Sequence, residues 1–158
     1  MNGLLIQQKN DTNWFSIKKF GKFIYIHLND TISPFGTEKF DSKTFLKFNL
    51  SSNDTSLIHN LEVDIYNHLK TNNLISTQSI KSGIRYNSPF PNLLTTYITT
   101  FKGKKLVKIS TSEANKGFIF TVDTIPKNTP LSVKIKLNGL IITDDDVIFY
   151  YTLDECVI

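Results

Sequence analysis

The stretch GKFIYIHLNDTISPFGTEKF, Gly21–Phe40, decides the reading of the fold. Along an extended chain its first half splits into two faces, Ile24, Ile26 and Leu28 on one and Phe23, Tyr25 and His27 on the other. That period of two predicts a strand with its aliphatic face in a core. Ser33-Pro34-Phe35-Gly36 then reads as a turn. The second face carries flat rings, so the functional question is whether they only build a core or also meet something flat, such as a base.

The same alternation recurs along the chain. WFSIKKF (14–20), TFLKFNL (44–50), TTYITTF (95–101), KLVKIS (105–110), FIFTV (118–122), LSVKIKL (131–137) and VIFYYTL (147–153) all read as strands, eight with KFIYIHL (22–28). Lys102-Gly103-Lys104 is a hairpin signal, and Asn138-Gly139 and the acidic TDDD at 143–146 punctuate the last pair. One segment departs from period two. Leu57, Ile58, Leu61, Ile65 and Leu69 recur at three and four, predicting one inserted helix over about 55–71, with capping side chains in SSNDTS before it and Asn72-Asn73 after it. A helical or irregular stretch is expected over 74–82. The predicted fold is mainly β with one helix, an OB-like Greek-key antiparallel barrel or a closely related sandwich.

The 158 residues, 40% hydrophobic and 20% charged, suit a single domain over 1–158 with one core. No apolar run reaches the roughly 18 residues of a membrane span, and the opening MNGLLIQQKN has no basic n-region. The expectation is an intracellular protein without membrane partners. Charge is distributed unevenly. Residues 1–136 carry all 18 basic and nine of the 14 acidic side chains, whereas 137–158 carry five acids and no base. A lysine-rich body suits a polyanionic partner through phosphate neutralisation, and equally a solvated surface.

Catalytic patterns are missing. His27, His59 and His68 form no HxH or HExxH motif, and there is no phosphate loop, dinucleotide fingerprint or nucleophile elbow. The single Cys156 leaves no internal disulfide or cysteine zinc site. The TDDD carboxylates are adjacent on a turn and do not converge without help from elsewhere. The expectation is a protein without enzymatic activity, cofactor or metal.

The predicted strands instead bring rings and ammonium groups to one face. With Leu46, Phe48 and Leu50 in the core, Phe45 and Lys47 point the other way; with Leu131, Val133, Ile135 and Leu137 in the core, so do Lys134 and Lys136. Together with Phe23 and Tyr25 they form a candidate surface for unpaired bases and their backbone. Arg85 and Tyr86, in SGIRYNSPF, and Lys102, Lys104 and Lys105, in the hairpin, are further candidates.

The succession ISPFGTEKF, FLKFNL, a helix ending YNHLK, SGIRYNSPFPNLLTTYI, the KGKK hairpin, IPKNTPLSVKIKLNGLII and VIFYYTL resembles the small single-stranded-DNA-binding proteins of the nucleocytoplasmic large DNA viruses, over about residues 20–153. Pro34, Phe35, Gly36 and Phe40 match the family's turn, Pro89 and Pro91 its segment before a strand, and Ile125, Pro126 and Gly139 its C-terminal pair. Asn128 stands where the family usually has glycine, and the chain ends in DECVI rather than a long acidic tail. The resemblance implies an OB-like barrel that coats single-stranded DNA in viral replication, repair or recombination. RNA is the other candidate strand, and replication proteins or further copies of the chain are candidate partners. It also implies a location in the host cytoplasm, viral factory or virion. The alternative from the residues is a virion structural or protein-interaction module that pairs through its sheet edges.

Overall fold

The computed structural model describes residues 1–158. Its strands are β1 (Leu4–Gln8), β2 (Trp14–Lys19), β3 (Ile24–Ser33), β4 (Glu38–Phe40), β5 (Lys43–Leu50), β6 (Ser79–Lys81), β7 (Ile84–Arg85), β8 (Asn92–Tyr97), β9 (Thr100–Phe101), β10 (Lys104–Lys105), β11 (Lys108–Ser110), β12 (Thr129–Ile142) and β13 (Asp146–Val157). The one α-helix, α1 (Ser52–Thr71), joins β5 to β6. The fold is mainly β with one helix, in a mixed sheet that does not close.

The long hairpin β12–β13 organises the sheet. The first part of β12 pairs with β3, and its last part with β2 at Leu140↔Phe15 and Ile141↔Trp14. On its far side β13 takes β6, β8 and β11 in turn, all parallel, and β8 then pairs antiparallel with β5. Five strands thus run β3-β12-β13-β8-β5 in space. At the open seam β3 comes back beside β5, where Thr31 Oγ1 donates to the Asn49 carbonyl at 2.7 Å without a backbone ladder.

Alternation explains the core. Ile26 and Leu28 of β3, Leu46, Phe48 and Leu50 of β5, and Leu131, Val133, Ile135 and Leu137 of β12 are all buried, as period two predicts. Burying each such side chain contributes about 1.5–3 kcal/mol. The helix closes over this core with Ile58, Ile65 and Leu69. Ser51 caps it by accepting the Asp54 amide at 3.0 Å, and Asn72 donates back to the His68 carbonyl at 2.8 Å.

Four expectations are corrected. FIFTV is not a strand: residues 118–121 find no partner strand, and a 3-10 turn follows over Val122–Thr124. Asn138-Gly139 does not end a strand but lies in a bulge inside β12, between Leu137↔Tyr151 and Gly139↔Tyr150. Leu57 is exposed, and the buried helix stripe runs through Glu62 instead. The stretch 74–82 is irregular, as one of its two expected forms, up to strand β6. The eight expected strands become thirteen, because FIFTV is lost, TTYITTF and KLVKIS each split in two, and β1, β4, β6 and β7 were unforeseen. The KGK turn between β9 and β10 and the TDDD turn between β12 and β13 stand where expected.

Candidate nucleic-acid interface

The face of the sheet turned away from the core carries one register row across six strands. Tyr25 of β3 lies opposite Lys136 of β12, Lys136 opposite Thr152 of β13, Thr152 opposite Tyr97 of β8, Tyr97 opposite Phe45 of β5, and Phe45 opposite Glu38 of β4. Directly opposite side chains on one face are neighbours, so the row is built by register, with Thr152 buried at its middle and the other members at least partly exposed.

Rings from neighbouring rows lock onto it. Tyr97 and Tyr150 stack with centroids 4.6 Å apart and planes within 3°, and Trp14 meets Tyr150 edge-on at 5.5 Å. Phe45 leans on Tyr97 at 6.0 Å. The four rings, each half-buried, form a continuous ladder from β2 to β5. Gly139 makes the crossing of β12 possible, because a side chain there would meet the Trp14 indole.

Ammonium groups sit against the rings. Lys134 is 4.3 Å from the Tyr25 centroid, Lys136 4.5 Å and Lys18 5.0 Å from Phe23, and Lys43 5.6 Å from Tyr97. Lys47 lies between Phe45 at 5.5 Å and Phe35 at 5.4 Å. Three lysines of the region also have carboxylate partners: Lys47 with Glu38 at 3.3 Å, Lys134 with Asp154 at 3.8 Å, and Lys105 with Asp123. Lys18, Lys43 and Lys136 have none, and so keep their charge available to an incoming anion. Burial, and then the neighbouring Tyr97, push the Tyr150 phenol above its ordinary range, so it remains a neutral donor.

The structure brings Phe23, Tyr25, Phe45, Lys47, Lys134 and Lys136 to this face. Lys105 borders it, lining a hollow of about 310 Å³ with Lys43, Tyr97 and Tyr150. Arg85 and Tyr86 are exposed at the β7 edge, where Arg85 stands opposite Leu93 of β8. Lys102 and Lys104 are exposed on the β9–β10 hairpin, Lys102 against its own neighbour Phe101 at 5.5 Å. Sequence reasoning missed Trp14, Tyr97, Tyr150, Lys18 and Lys43. For Tyr97 the signal was present, since LTTY (94–97) places it on the face opposite Leu94 and Thr96, but which strands are neighbours is not written in any one segment.

The PFG turn contributes by position. Gly36 has φ +65° and packs so tightly on the Ile125–Pro126 backbone that an added Cβ would lie 2.7 Å from the Pro126 carbonyl carbon. The Thr37 amide donates to the Ile125 carbonyl at 2.9 Å, and Thr37 Oγ1 accepts from the Ile125 amide at 3.0 Å while donating to the Val122 carbonyl at 2.7 Å. These bonds fasten the turn and hold Phe35 beside Lys47. Compared with known proteins, the chain matches no family model and no curated protein.

Proposed function

We propose that the chain is a non-catalytic, sequence-tolerant single-stranded-DNA-binding protein, acting in viral DNA replication, repair or recombination as the family resemblance implies. One observation carries the proposal: a ladder of four rings crosses the outer face of the sheet, with unpaired Lys43 over Tyr97 and unpaired Lys18 and Lys136 over Phe23, which lines one hollow with Trp14. Rings offer stacking faces to any unpaired base, at about 1–3 kcal/mol per base, and ammonium groups follow the phosphates. A duplex hides its base faces, so this chemistry favours single strands.

Strand order supports an OB-like barrel as the scaffold. Numbered along the chain, β3, β5, β8, β12 and β13 lie in the order first, fourth, fifth, third, second, with the third and fifth parallel and the first beside the second. That arrangement suits the partly open five-stranded Greek-key barrel, which binds oligonucleotides on its second and third strands and the loop between its first two. Here those elements are β5, β8 and the Pro34–Ser42 segment, which supply Phe45, Tyr97 and Phe35. The helix falls between the second and third strands.

The test is fluorescence anisotropy with labelled oligo-dT, the same length of RNA, and duplex, at two salt concentrations. Preferential, salt-sensitive binding of single strands is expected. Preference for duplex, or no binding at low salt, overturns the proposal. A second reading as a protein-interaction module is favoured by one observation, the exposure of Phe118 and Ile119, the latter 94% accessible. It predicts a salt-insensitive oligomer without affinity for nucleic acid.

A further inference from the structure

Beyond the ring ladder, the outer face of β5 and β8 continues through two more opposed pairs, Lys47↔Thr95 and Asn49↔Leu93. It ends in a hollow of about 580 Å³. Phe35, 42% exposed, and Phe90, 68% exposed, supply ring surface, Leu93 lies in the lining, and Asn49, Asn87 and Asn128 bring three side-chain amides. None of those three amide groups bonds to any other group of the protein. Each offers one acceptor and two donors. An apolar hollow with a few unengaged polar groups suits a flat, partly polar ligand.

We infer that this hollow captures one unstacked nucleobase of the bound strand and reads its edge through Asn49, Asn87 and Asn128. The inference rests on the single-strand reading above. It adds a base-discriminating subsite to a surface that is otherwise indifferent to sequence. Ring faces cannot tell bases apart, whereas an asparagine amide pairs with two adjacent edge atoms, as it does with adenine N6 and N7. Position favours a base of the same strand over an unrelated small molecule. Asn49 is four residues along β5 from Phe45, about 13 Å at strand rise, so the hollow lies directly beyond the ladder. Lys47 stands between them, where a phosphate linking the two sites would pass.

Two measurements test the inference. In the first, dAMP, dCMP and dTMP are titrated separately into the ¹⁵N-labelled protein and the asparagine side-chain NH₂ signals are followed. Movement of the Asn49, Asn87 and Asn128 signals, unequal among the three nucleotides, is expected. No movement at millimolar nucleotide, in a protein that still binds oligo-dT, overturns the base subsite and leaves the proposed function standing. In the second, oligo-dA, oligo-dC and oligo-dT are ranked against the intact chain and a variant carrying Asn49→Ala, Asn87→Ala and Asn128→Gly. Glycine is used at the last position because Asn128 has φ +60°. The ranking should flatten by about tenfold, with total affinity largely kept. An unchanged ranking overturns the subsite, and loss of all oligonucleotide binding by the intact chain overturns both readings.

Discussion

Trp14 lies across Gly139, and a Cβ added to that glycine would fall 2.5 Å from the indole Cζ2 and 2.6 Å from the Phe15 carbonyl oxygen. The glycine is therefore a gap in β12 through which β2 reaches Tyr150 on β13. Gly139→Ala should displace the indole and cost about 1–3 kcal/mol by overpacking. Trp14 is the only tryptophan, so its fluorescence reports the change directly. An unaltered emission spectrum and an unaltered Tm would contradict this account of the ladder.

The turn at Gly36 makes a second prediction. Its positive φ and its approach to Pro126 both exclude a side chain. Gly36→Ala should lower stability by about 1–3 kcal/mol and release Phe35 from Lys47. Single-strand affinity should then fall further than for Gly103→Ala, which sits in a turn with open space around it. Equal effects of the two variants on binding would argue against a role for the turn.

The aliphatic faces of β3, β5 and β12 were legible because period two is a property of each segment alone. What could not be read depends on neighbours. Asn138-Gly139 has the composition of a turn, yet Gly139 is needed for the space it leaves to a ring some 125 positions earlier in the chain. FIFTV has the composition of a strand but finds no partner, and Phe118 and Ile119 remain exposed. The family-like turn was recognisable by spelling, whereas its partner, the Ile125–Pro126 backbone, was given only by folding. Half of the candidate face was visible as outward rings and lysines on separate strands. The ladder that joins them required the register of β8 on β13.

Ion pairing separates two lysines that the sequence treats alike. Lys134 shares its charge with Asp154, bulged out of β13, while Lys136 has only the Phe23 ring beside it. Lys136→Ala should reduce the slope of log affinity against log salt by about one phosphate contact. Lys134→Ala should reduce it by less. Titrations of both variants with oligo-dT over a salt series decide the matter, and equal slopes would remove the distinction.

Glu62 is 1% exposed and holds α1 to the sheet through three donors: Ser82 Oγ, the Gly83 amide at 3.0 Å and the Tyr151 hydroxyl at 2.8 Å. Removing one donor from a buried carboxylate is costly, so Tyr151→Phe should lose about 1–3 kcal/mol while leaving the outer face intact. Burial first, then the Glu62 charge and hydrogen bond, push the Tyr151 phenol well above its ordinary 10.0, and burial pushes the Cys156 thiol from 9.0 up to about 12. Both groups are neutral when protonated and stay protonated longer in the folded state. Between the unfolded and folded values the native protein binds more protons, so stability falls as pH rises. The contribution is complete below about pH 9 and, for the thiol, is lost by about pH 12. Denaturant midpoints should therefore hold from pH 7 to 9 and decline above it, less steeply in Tyr151→Phe than in the parent chain. A flat profile up to pH 11 would show that neither group is buried as described.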